Sequence, residues 1–357
     1  MQRLIRTLRW CNILLILFTF LVYFTPFVNP QGKWPLAVIG LFYPAILVIH
    51  LLFILLWSVL RKWQFLLSLG CILIGWGHVR TVISFSSTNN LKEKEPTEIT
   101  IMTFNCFSFS KDAKGTQLIN KEKLTNLLRE YQPDILCLQE FANTENQLKL
   151  FKEWVETSHD FSHNFIQTTA SLAIFSRYPL HNTKAQKFPN SYNGYQQAEV
   201  IIGDQQIGIF NLHLQTNAIT SLANKVVDSG DLKTKETWLD IGGMLRSYQR
   251  AARKRVVQAE EVRAEMANVP HPVVICGDFN DVPQSYVYRL LKQGYTDTFQ
   301  KAGNGMGVTY SGKIPGLRID YIFTPPSFTV LQTLLPKPGF SDHRPVVSRV
   351  AIGTNEK

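Results

Sequence analysis

Two long apolar segments without a charged residue lie near the start of this 357-residue chain and constrain its fold most strongly. They cover residues 10–28 and 36–60, and a third, weaker segment covers residues 63–83. A helix that crosses a bilayer needs about 20 apolar residues. Buried core helices are the alternative, but helices of soluble proteins rarely stay apolar on every side. The pattern predicts an all-α membrane region of about three helices over residues 1–85.

The charged residues are unevenly distributed along the chain. Residues 10–79 contain only three of the 64 charged residues, which are Lys33, Arg61 and Lys62. Residues 1–96 carry a net charge of +7 out of a total of +10. The basic balance thus reflects residues that flank the membrane segments, and it does not by itself indicate a nucleic-acid partner.

The positions of Lys and Arg predict an orientation. Basic residues precede the first segment and separate the second from the third; they are Arg3, Arg6, Arg9, Arg61 and Lys62. Such residues stay in the cytoplasm. The prediction is a multi-pass protein of the cell membrane, with a cytoplasmic N-terminus and an extracytoplasmic catalytic domain. If the third segment does not span the membrane, the same rule predicts a catalytic domain on the cytoplasmic side. No small-residue cleavage site follows the first segment, which therefore reads as an uncleaved span.

Beyond residue 85 the pattern changes to that of a soluble protein. Residues 86–98 are polar and predict a linker, and residues 99–357 alternate apolar strands with helical stretches, as in a layered α/β domain. Strands are predicted at 99–104, 134–139, 171–176, 197–202, 206–212, 272–277, 319–323 and 345–351, and helices at 118–131, 145–157, 238–268 and 284–293. Residues 216–237 predict a long polar loop. The basic cluster at 250–255 is interpreted as a solvated helix face, with an anion- or lipid-binding patch as the alternative.

Polar side chains stand where several of the apolar strands end. They are Asn105, Glu140, His213, Asp278, Asn280, Asp320, Asp342 and His343. Each of them singly also fits a turn or a helix cap. If they converge, their oxygens form a site suited to Mg²⁺, or to Mn²⁺, with two imidazoles beside it. Such a site suits hydrolysis of a phosphate ester by a metal-activated water.

Seven sequence motifs carry a family resemblance. MTFN, DILCLQE, IFSRYP, NLHLQ, GDFND, RIDYIF and SDHRPV occur in this order over about residues 98–352. In this order they resemble the motifs of the endonuclease/exonuclease/phosphatase superfamily, which includes deoxyribonuclease I and the neutral sphingomyelinases. The resemblance implies a four-layer α/β sandwich, in which two packed mixed β-sheets are flanked by helices.

The resemblance also implies roles for the strand-end residues. Glu140 matches the main metal ligand, with Asn105 beside it, and Asp342 matches a further ligand or a metal-linked carboxylate. The catalytic set is His213, Asp278, Asn280, Asp320 and His343. In it, Asp278 orients or deprotonates the attacking water, Asn280 holds the phosphate, both histidines contact the phosphate, and Asp320 orients His343. Apurinic endonucleases carry a tyrosine at the position of His213, which disfavours an abasic-site repair enzyme. Ser176 and Arg177 are weaker candidates for contact with substrate.

The sequence predicts a membrane-anchored, metal-dependent hydrolase of a phosphate ester, and the bond expected to be cleaved is a phosphodiester. Its partners are the lipid bilayer and a substrate that is a phospholipid headgroup, a nucleotide or a nucleic acid; no protein partner is inferable. The alternatives are a surface nuclease and a non-catalytic membrane sensor of phosphorylated ligands. The complete motif set disfavours the sensor.

Overall fold

The computed structural model describes residues 2–86, 94–107, 121–142, 144–157, 161–216, 234–311 and 316–353. The helices are α1 Gln2–Phe24, α2 Pro30–Gly40, α3 Tyr43–Val59, α4 Phe65–Ile74, α5 Trp76–Val82, α6 Lys121–Tyr131, α7 Glu145–Thr157, α8 Lys235–Ala267, α9 Tyr286–Lys292 and α10 Thr298–Ala302. A 3-10 turn, Thr25–Phe27, follows α1. The loop predicted over 216–237 lies almost entirely outside the described residues.

The strands form two six-stranded mixed sheets and one small two-stranded sheet within the described residues. In chain order they are β1 Ile83–Phe85, β2 Glu98–Asn105, β3 Ile135–Gln139, β4 His163–Gln167, β5 Leu172–Ser176, β6 Leu180–Lys187, β7 Gly194–Ile202, β8 Gln205–His213, β9 Val273–Asp278, β10 Thr296–Asp297, β11 Asn304–Met306, β12 Asp320–Thr324, β13 Thr329–Leu334 and β14 Val346–Ala351. One large sheet has the order β13-β14-β2-β3-β5-β4, and the other has the order β10-β12-β9-β8-β7-β6.

Three apolar clusters divide the α/β part of the chain, residues 94–353, into four layers; the sequence motifs predict that this is the catalytic part. The first lies between the two large sheets and includes Ile101, Ile135 and Ile209. The second packs α8 and α9 against the outer face of one sheet. The third packs α6 and α7 against the outer face of the other. The four-layer sandwich implied by the sequence motifs is therefore confirmed.

The second and third apolar segments are not single helices, contrary to the sequence prediction. Residues 36–60 are divided at Leu41 and Phe42 between α2 and α3. Residues 63–83 are divided at Gly75, where α4 and α5 meet with a bend of 77°. Ten residues of α4 extend about 15 Å, which is half of the hydrocarbon thickness of a bilayer. An apolar composition shows that a segment can be buried or lie in a membrane, but it does not show that the segment forms one continuous helix.

One described helix, Gln2–Phe27, is long and apolar enough to cross a membrane, and the bent pair of α4 and α5 is a second candidate if it counts as one span. The core helix of a soluble protein or a signal sequence passes the same test of length and composition. This is weak evidence for a membrane anchor.

Helices α1 and α3 pack antiparallel to each other. The indole of Trp57 donates a hydrogen bond to Asn12 Oδ1 (3.1 Å), and Thr19 Oγ1 lies 2.8 Å from His50 Nε2. Along the two helices, residue numbers rise in one while they fall in the other. All four side chains are buried.

Helix α4 runs parallel to α1 and completes a three-helix bundle. Asn12 donates to Ser68 Oγ (2.7 Å), and Tyr23 donates to the carbonyl of Cys71 (3.0 Å). Ser68 Oγ also lies 3.0 Å from His50 Nδ1. The bundle is therefore joined by buried polar side chains from all three helices.

The bundle contacts the catalytic part directly at one end. Thr25 Oγ1 donates to the carbonyl of Gln284 (2.5 Å), whose side chain donates to Thr81 Oγ1 (3.1 Å). Helix α2 lies along α8, and Tyr248 donates to the carbonyl of Ala37 (3.2 Å). Strand β1 pairs with β11. Of the predicted linker, residues 86–98, the structure describes residue 86 and residues 94–98, and β2 begins at Glu98.

Candidate active site

The second large sheet aligns three of the predicted site residues in one row. Strands β8 and β9 are parallel, and their register places His213 beside Asp278. Strand β12 is antiparallel to β9, and its register places Asp320 on the other side of Asp278. The strand pairing therefore brings a histidine and two carboxylates to one end of the sheet.

The first large sheet supplies two further residues at the same end of the sandwich. Parallel pairing of β2 and β3 sets Asn105 beside Gln139, so that Glu140 follows at the end of β3. The amide nitrogen of Asn105 donates to Glu140 Oε1 (3.1 Å) and to Asp278 Oδ2 (3.0 Å). Asn105 thus joins carboxylates from the two sheets.

Two site residues have backbone angles that side chains rarely adopt. Glu140 and Asn280 have φ values of 51° and 52°. Such strain costs about 1–3 kcal/mol and is concentrated at functional sites. Gly277, with φ of 134°, lies where a Cβ atom would collide with the backbone of Leu212. The glycine in the GDFND motif is therefore required for β8 and β9 to approach each other.

The two predicted histidines face the same carboxylate oxygen. His213 Nε2 lies 3.3 Å from Glu140 Oε1 and 3.8 Å from Asp278 Oδ2. His343 Nε2 lies 4.0 Å from the same Asp278 oxygen. Although 130 residues separate them in the chain, the two imidazoles border one space beside Glu140.

A carboxylate orients His343 from behind. Its Nδ1 lies 3.0 Å from Asp320 Oδ2 and 3.1 Å from Oδ1. Burial acts to lower the pKa of His343, but the charges of Asp320, Asp278 and Asp342 and the bond to Asp320 raise it to about 10. At neutral pH the ring is therefore an imidazolium that presents an Nε2–H to the site.

Asp278 lies at the centre of the cluster and is completely buried. Burial and the charge of Asp320 raise its pKa to about 6, although both histidines and the bond from Asn105 act in the opposite direction. Asn280 donates its backbone N–H to Asp278 Oδ1 (2.8 Å) and its side chain to Asp278 Oδ2 (3.1 Å). These donors hold the carboxylate in one orientation.

Sequence reasoning missed a polar layer directly beneath the site. Gln139 donates to Asn211 Oδ1 (2.6 Å) and to Thr103 Oγ1 (2.9 Å), and it therefore joins the inner faces of the two sheets. These side chains are fully buried in an otherwise apolar interface. Gln139 precedes Glu140, and Asn211 lies two residues before His213. Inward-facing polar residues in the LCLQE and NLHLQ motifs were the available signal.

Tyr310 was also missed, because no motif contains it. Its ring packs edge-on against His343, with ring centres 5.0 Å apart. The same tyrosine belongs to a cluster with Val282, Leu317 and Leu41, and Leu41 lies between α2 and α3. The imidazole of His343 is therefore linked by packing to the N-terminal helices.

Arg255 corrects the interpretation of the basic cluster at 250–255 as a solvated face. It is fully buried and donates to Asp281 Oδ2 (3.1 Å) and to the carbonyl of Gln215 (3.1 Å). It thus ties α8 to the loop that follows Asp278 and to the residues that follow β8. Lys254, by contrast, is exposed and donates to the carbonyl of Asn190.

Ser176 and Arg177 lie away from the cluster. Ser176 pairs with Ile135, at the opposite end of β3 from Glu140, a separation of about 13 Å along the strand. Its hydroxyl accepts from the backbone N–H of Tyr178. Arg177 lines a separate cavity of about 1020 Å³ with Asp134. The geometry does not bring either residue to the predicted site.

The donor atoms fit a divalent cation. Glu140, His213 and Asp278 offer ligand atoms within 4.8 Å of one another. Asp278, Asp320 and His343 are equally close, but the protonated ring of His343 is paired with Asp320 and has no free electron pair for a cation. Asp342 is in neither group, but its Oδ1 is buried and has no hydrogen-bond partner among the described residues. In Asn105 the oxygen accepts from the backbone N–H of Phe107, so the amide nitrogen faces the carboxylates. Paired carboxylate oxygens suit a hard cation.

The fold and this cluster together define a class, a hydrolase that acts on phosphate ester bonds. The family model of the endonuclease/exonuclease/phosphatase family matches residues 102–343, and the chain belongs to that family. Members of this family generally use a divalent metal. A second model, a domain of unknown function (DUF8431), matches residues 5–82, which contain the N-terminal helices.

Individual relatives are distant. Protein angel homolog 2 of Danio rerio is 24% identical over 233 residues, which are 59% of this chain and 38% of that protein. The chain therefore spans less than half of that relative. Endonuclease/exonuclease/phosphatase structures from Bacteroides vulgatus (TM-score 0.52, 15% identity, 71% of this chain and 99% of that one) and Beutenbergia cavernae (0.50, 18%, 72% of each chain) share the fold.

We expect Asp320→Asn to lower kcat by about 10–100-fold, as is typical when a carboxylate that orients a site histidine is lost. The change should also move the basic limb of the pH–kcat profile to lower pH. The reason is that Asp320 raises the pKa of His343, so without its charge the imidazolium is lost at lower pH. The measurement is kcat between pH 6 and 10, and an unchanged basic limb would contradict this role.

Proposed function

We propose that this protein is a membrane-anchored, divalent-metal-dependent phosphodiesterase that cleaves its substrate by in-line attack of water. The observation that carries the proposal is the convergence of Glu140, Asp278, His213 and His343 from both sheets on one space. Each type of group suits one need of phosphoryl transfer, because carboxylates hold a cation and imidazoles donate to phosphate oxygens.

Glu140 would hold the metal, with Asp342 as a further ligand. Asn105, predicted as a ligand, presents its amide nitrogen and not its oxygen to the carboxylates, so it would position Glu140 instead. When bound, Mg²⁺ or Mn²⁺ neutralises phosphate oxygens and lowers the pKa of water. Glu140 suits this role because 22% of its side chain remains accessible while the carboxylate faces His213. Asn105 would keep Glu140 and Asp278 together, as its amide does now.

The remaining residues would accept the proton of the attacking water and stabilise the negative charge that develops on the phosphate. Asp278, whose pKa is about 6, is suited to orient the attacking water and to accept its proton near neutral pH. The imidazolium of His343, oriented by Asp320, would donate to an oxygen of the pentacoordinate phosphorus. His213 would donate from the other side. Asn280, predicted to hold the phosphate, donates its side chain to Asp278 Oδ2 and to the carbonyl of Leu214, so it would position Asp278 instead.

Several features support the membrane anchor. The helices expose large apolar side chains to their surroundings, namely Leu14, Leu17, Leu21, Val48, Leu51, Leu52, Leu55 and Val59. Their buried contacts include the polar side chains Asn12, Thr19, His50 and Ser68. Polar residues that hydrogen-bond between helices, with apolar residues outside, are typical of membrane bundles.

A reporter fused after residue 90 should report an extracytoplasmic location, since Arg61 and Lys62 hold the turn between α3 and α4 inside. Alkaline phosphatase should be active at this position, and a reporter that folds only in the cytoplasm should be inactive. A fusion at residue 62 supplies the opposite control. The reverse pattern at residue 90 would place the catalytic domain in the cytoplasm.

The enzymatic proposal is tested with the full chain in detergent and Mg²⁺. The substrates are bis(p-nitrophenyl) phosphate, phosphatidylcholine, sphingomyelin, a dinucleotide, single-stranded DNA and RNA, and p-nitrophenyl phosphate as the monoester. Cleavage of a diester that a chelator stops and added Mg²⁺ restores is the expected result. Cleavage of the monoester alone would reject the diester assignment, and tight binding without turnover would favour a sensor.

A further inference from the structure

A cavity of about 470 Å³ lies where the N-terminal helices meet the catalytic part. Its walls come from the turn after α1, from α5, and from the loop and helix that follow the GDFND motif. The residues that matter here are Phe27, His78, Thr81, Tyr288, Arg289 and Lys292. The cavity is separate from the catalytic cluster, although its wall residue Pro283 lies two residues beyond Asp281.

The cavity carries an excess of positive charge. Arg289 and Lys292 line it, and the charge of Arg80 acts on Lys292. The neighbouring carboxylate, Asp297, is already bound by both terminal nitrogens of Arg318 (3.0 and 2.7 Å). Within the described residues, no salt bridge involves Arg80, Arg289 or Lys292.

Lys292 is held in an environment that disfavours its charge. Burial and the charges of Arg318 and Arg80 lower its pKa, although Asp297 acts in the opposite direction. Its Nζ donates to Gln300 Oε1 and lies 5.6 Å from the ring centre of Tyr288. Neither partner neutralises the ammonium charge of Lys292, so an anion bound in the cavity would stabilise the charged form of this side chain.

Apolar surface continues from the cavity along the helices. Phe27 is 61% exposed, and the guanidinium of Arg289 lies 4.5 Å from its ring centre. Leu21 and Phe24, in the last two turns of α1, are also exposed, as is Ile74 just before the bend into α5. A cationic cavity at the end of exposed apolar helices matches the shape of a phospholipid, which has an anionic head and apolar chains.

We propose that this cavity binds the phosphate headgroup of an anionic phospholipid, with the acyl chains lying along α1 and the α4–α5 bend. Arg289 and Lys292 pair with the phosphate, and Phe27 contacts the glycerol backbone. The bound lipid joins the catalytic part to the helix bundle. This inference rests on the proposed membrane anchor but not on the proposed hydrolysis.

The test uses the full chain in nanodiscs of phosphatidylcholine, with or without about one fifth phosphatidylglycerol. A ligand that binds only the folded state raises the unfolding temperature, so phosphatidylglycerol should raise the Tm of the wild type by at least about 3 °C. Arg289→Gln with Lys292→Gln should remove this increase. The control variant, Lys149→Gln with Lys152→Gln on exposed positions of α7, loses the same charge. It should still show the increase in Tm with phosphatidylglycerol.

Three results would overturn the proposal. Equal stabilisation of the wild type and the Arg289/Lys292 variant would show that the lipid acts elsewhere. Equal protection by soluble glycerol 3-phosphate in neutral discs would show a site for free phosphate. No stabilisation of the wild type would show that no such lipid binds. If the double glutamine variant fails to fold, Arg289→Lys with Lys292→Arg should retain the response and Arg289→Gln alone should weaken it.

Two further measurements separate this inference from the proposed function. Extraction of native membranes with alkaline carbonate tests the anchor, and a chain that is released would reject both the anchor and the lipid site. Hydrolysis of bis(p-nitrophenyl) phosphate in the same discs tests catalysis. A chain that shows the lipid response without hydrolysis would reject the enzymatic proposal alone.

Discussion

Glu140→Gln should abolish metal-dependent hydrolysis, with a loss of at least about 10²–10³-fold in kcat at saturating Mg²⁺. The change removes one hard, charged ligand and keeps the side-chain volume. A catalytic metal supplies several kcal/mol of charge stabilisation, and each 1.36 kcal/mol corresponds to a factor of ten in rate. The measurement is initial rate against Mg²⁺ concentration, with unfolding followed in parallel.

Glu145→Gln is the matched control, because Glu145 is exposed at the start of α7. It should leave the rate unchanged. Glu140→Gln should leave the unfolding temperature of the apoprotein near that of the wild type, because the amide oxygen of the glutamine can still accept the hydrogen bond from Asn105. Full activity of Glu140→Gln in excess chelator would reject the metal hypothesis.

His213→Ala and His343→Ala should each lower kcat by about 10²–10³-fold, the typical effect of removing one donor aimed at a developing charge. KM should change much less, because both imidazoles act mainly as the pentacoordinate phosphorus forms. Their Nε2 atoms lie 3.8 and 4.0 Å from the same oxygen of Asp278. The measurement is kcat and KM for the two single variants and for the double variant.

The double variant should lose less than the product of the two single effects, since both groups act on one transition state. His181→Ala, at an exposed position of β6, is the matched control and should behave as the wild type. A double variant that retains near-full activity on a diester cleaved by the wild type would reject the proposed roles of both histidines.

The positions of the strands along the chain and the polar residues at their ends could be predicted from the sequence. All eight predicted strands are present, because each contains a run of apolar residues that becomes buried in a sheet. Strand β6, with the sequence LHNTKAQK, was missed, since it lies at the edge of its sheet and is largely exposed. An edge strand with little buried surface does not show the apolar pattern that identifies a strand.

The burial and position of individual charged residues could not be predicted in the same way. Arg255 lies in a run of basic residues that suggests a solvated face, yet it is buried against Asp281. Arg177 belongs to a family motif, yet it faces the opposite end of the sheet. In both cases the environment is set by segments distant in sequence, which a local pattern does not report.

By itself, the sequence determined the identity of the polar residues at the strand ends, and the family resemblance of its seven motifs implied the four-layer architecture. These properties depend on local patterns, because a short stretch of consecutive residues shows both that a strand is apolar enough to be buried and which residue follows it. Only the tertiary structure decided that His213 and His343 face one oxygen of Asp278, that α2 and α3 are separate helices, and that Arg289 and Lys292 share a cavity with Phe27. Strand register and helix packing determine such distances, and they arise from contacts between segments that lie far apart in the chain.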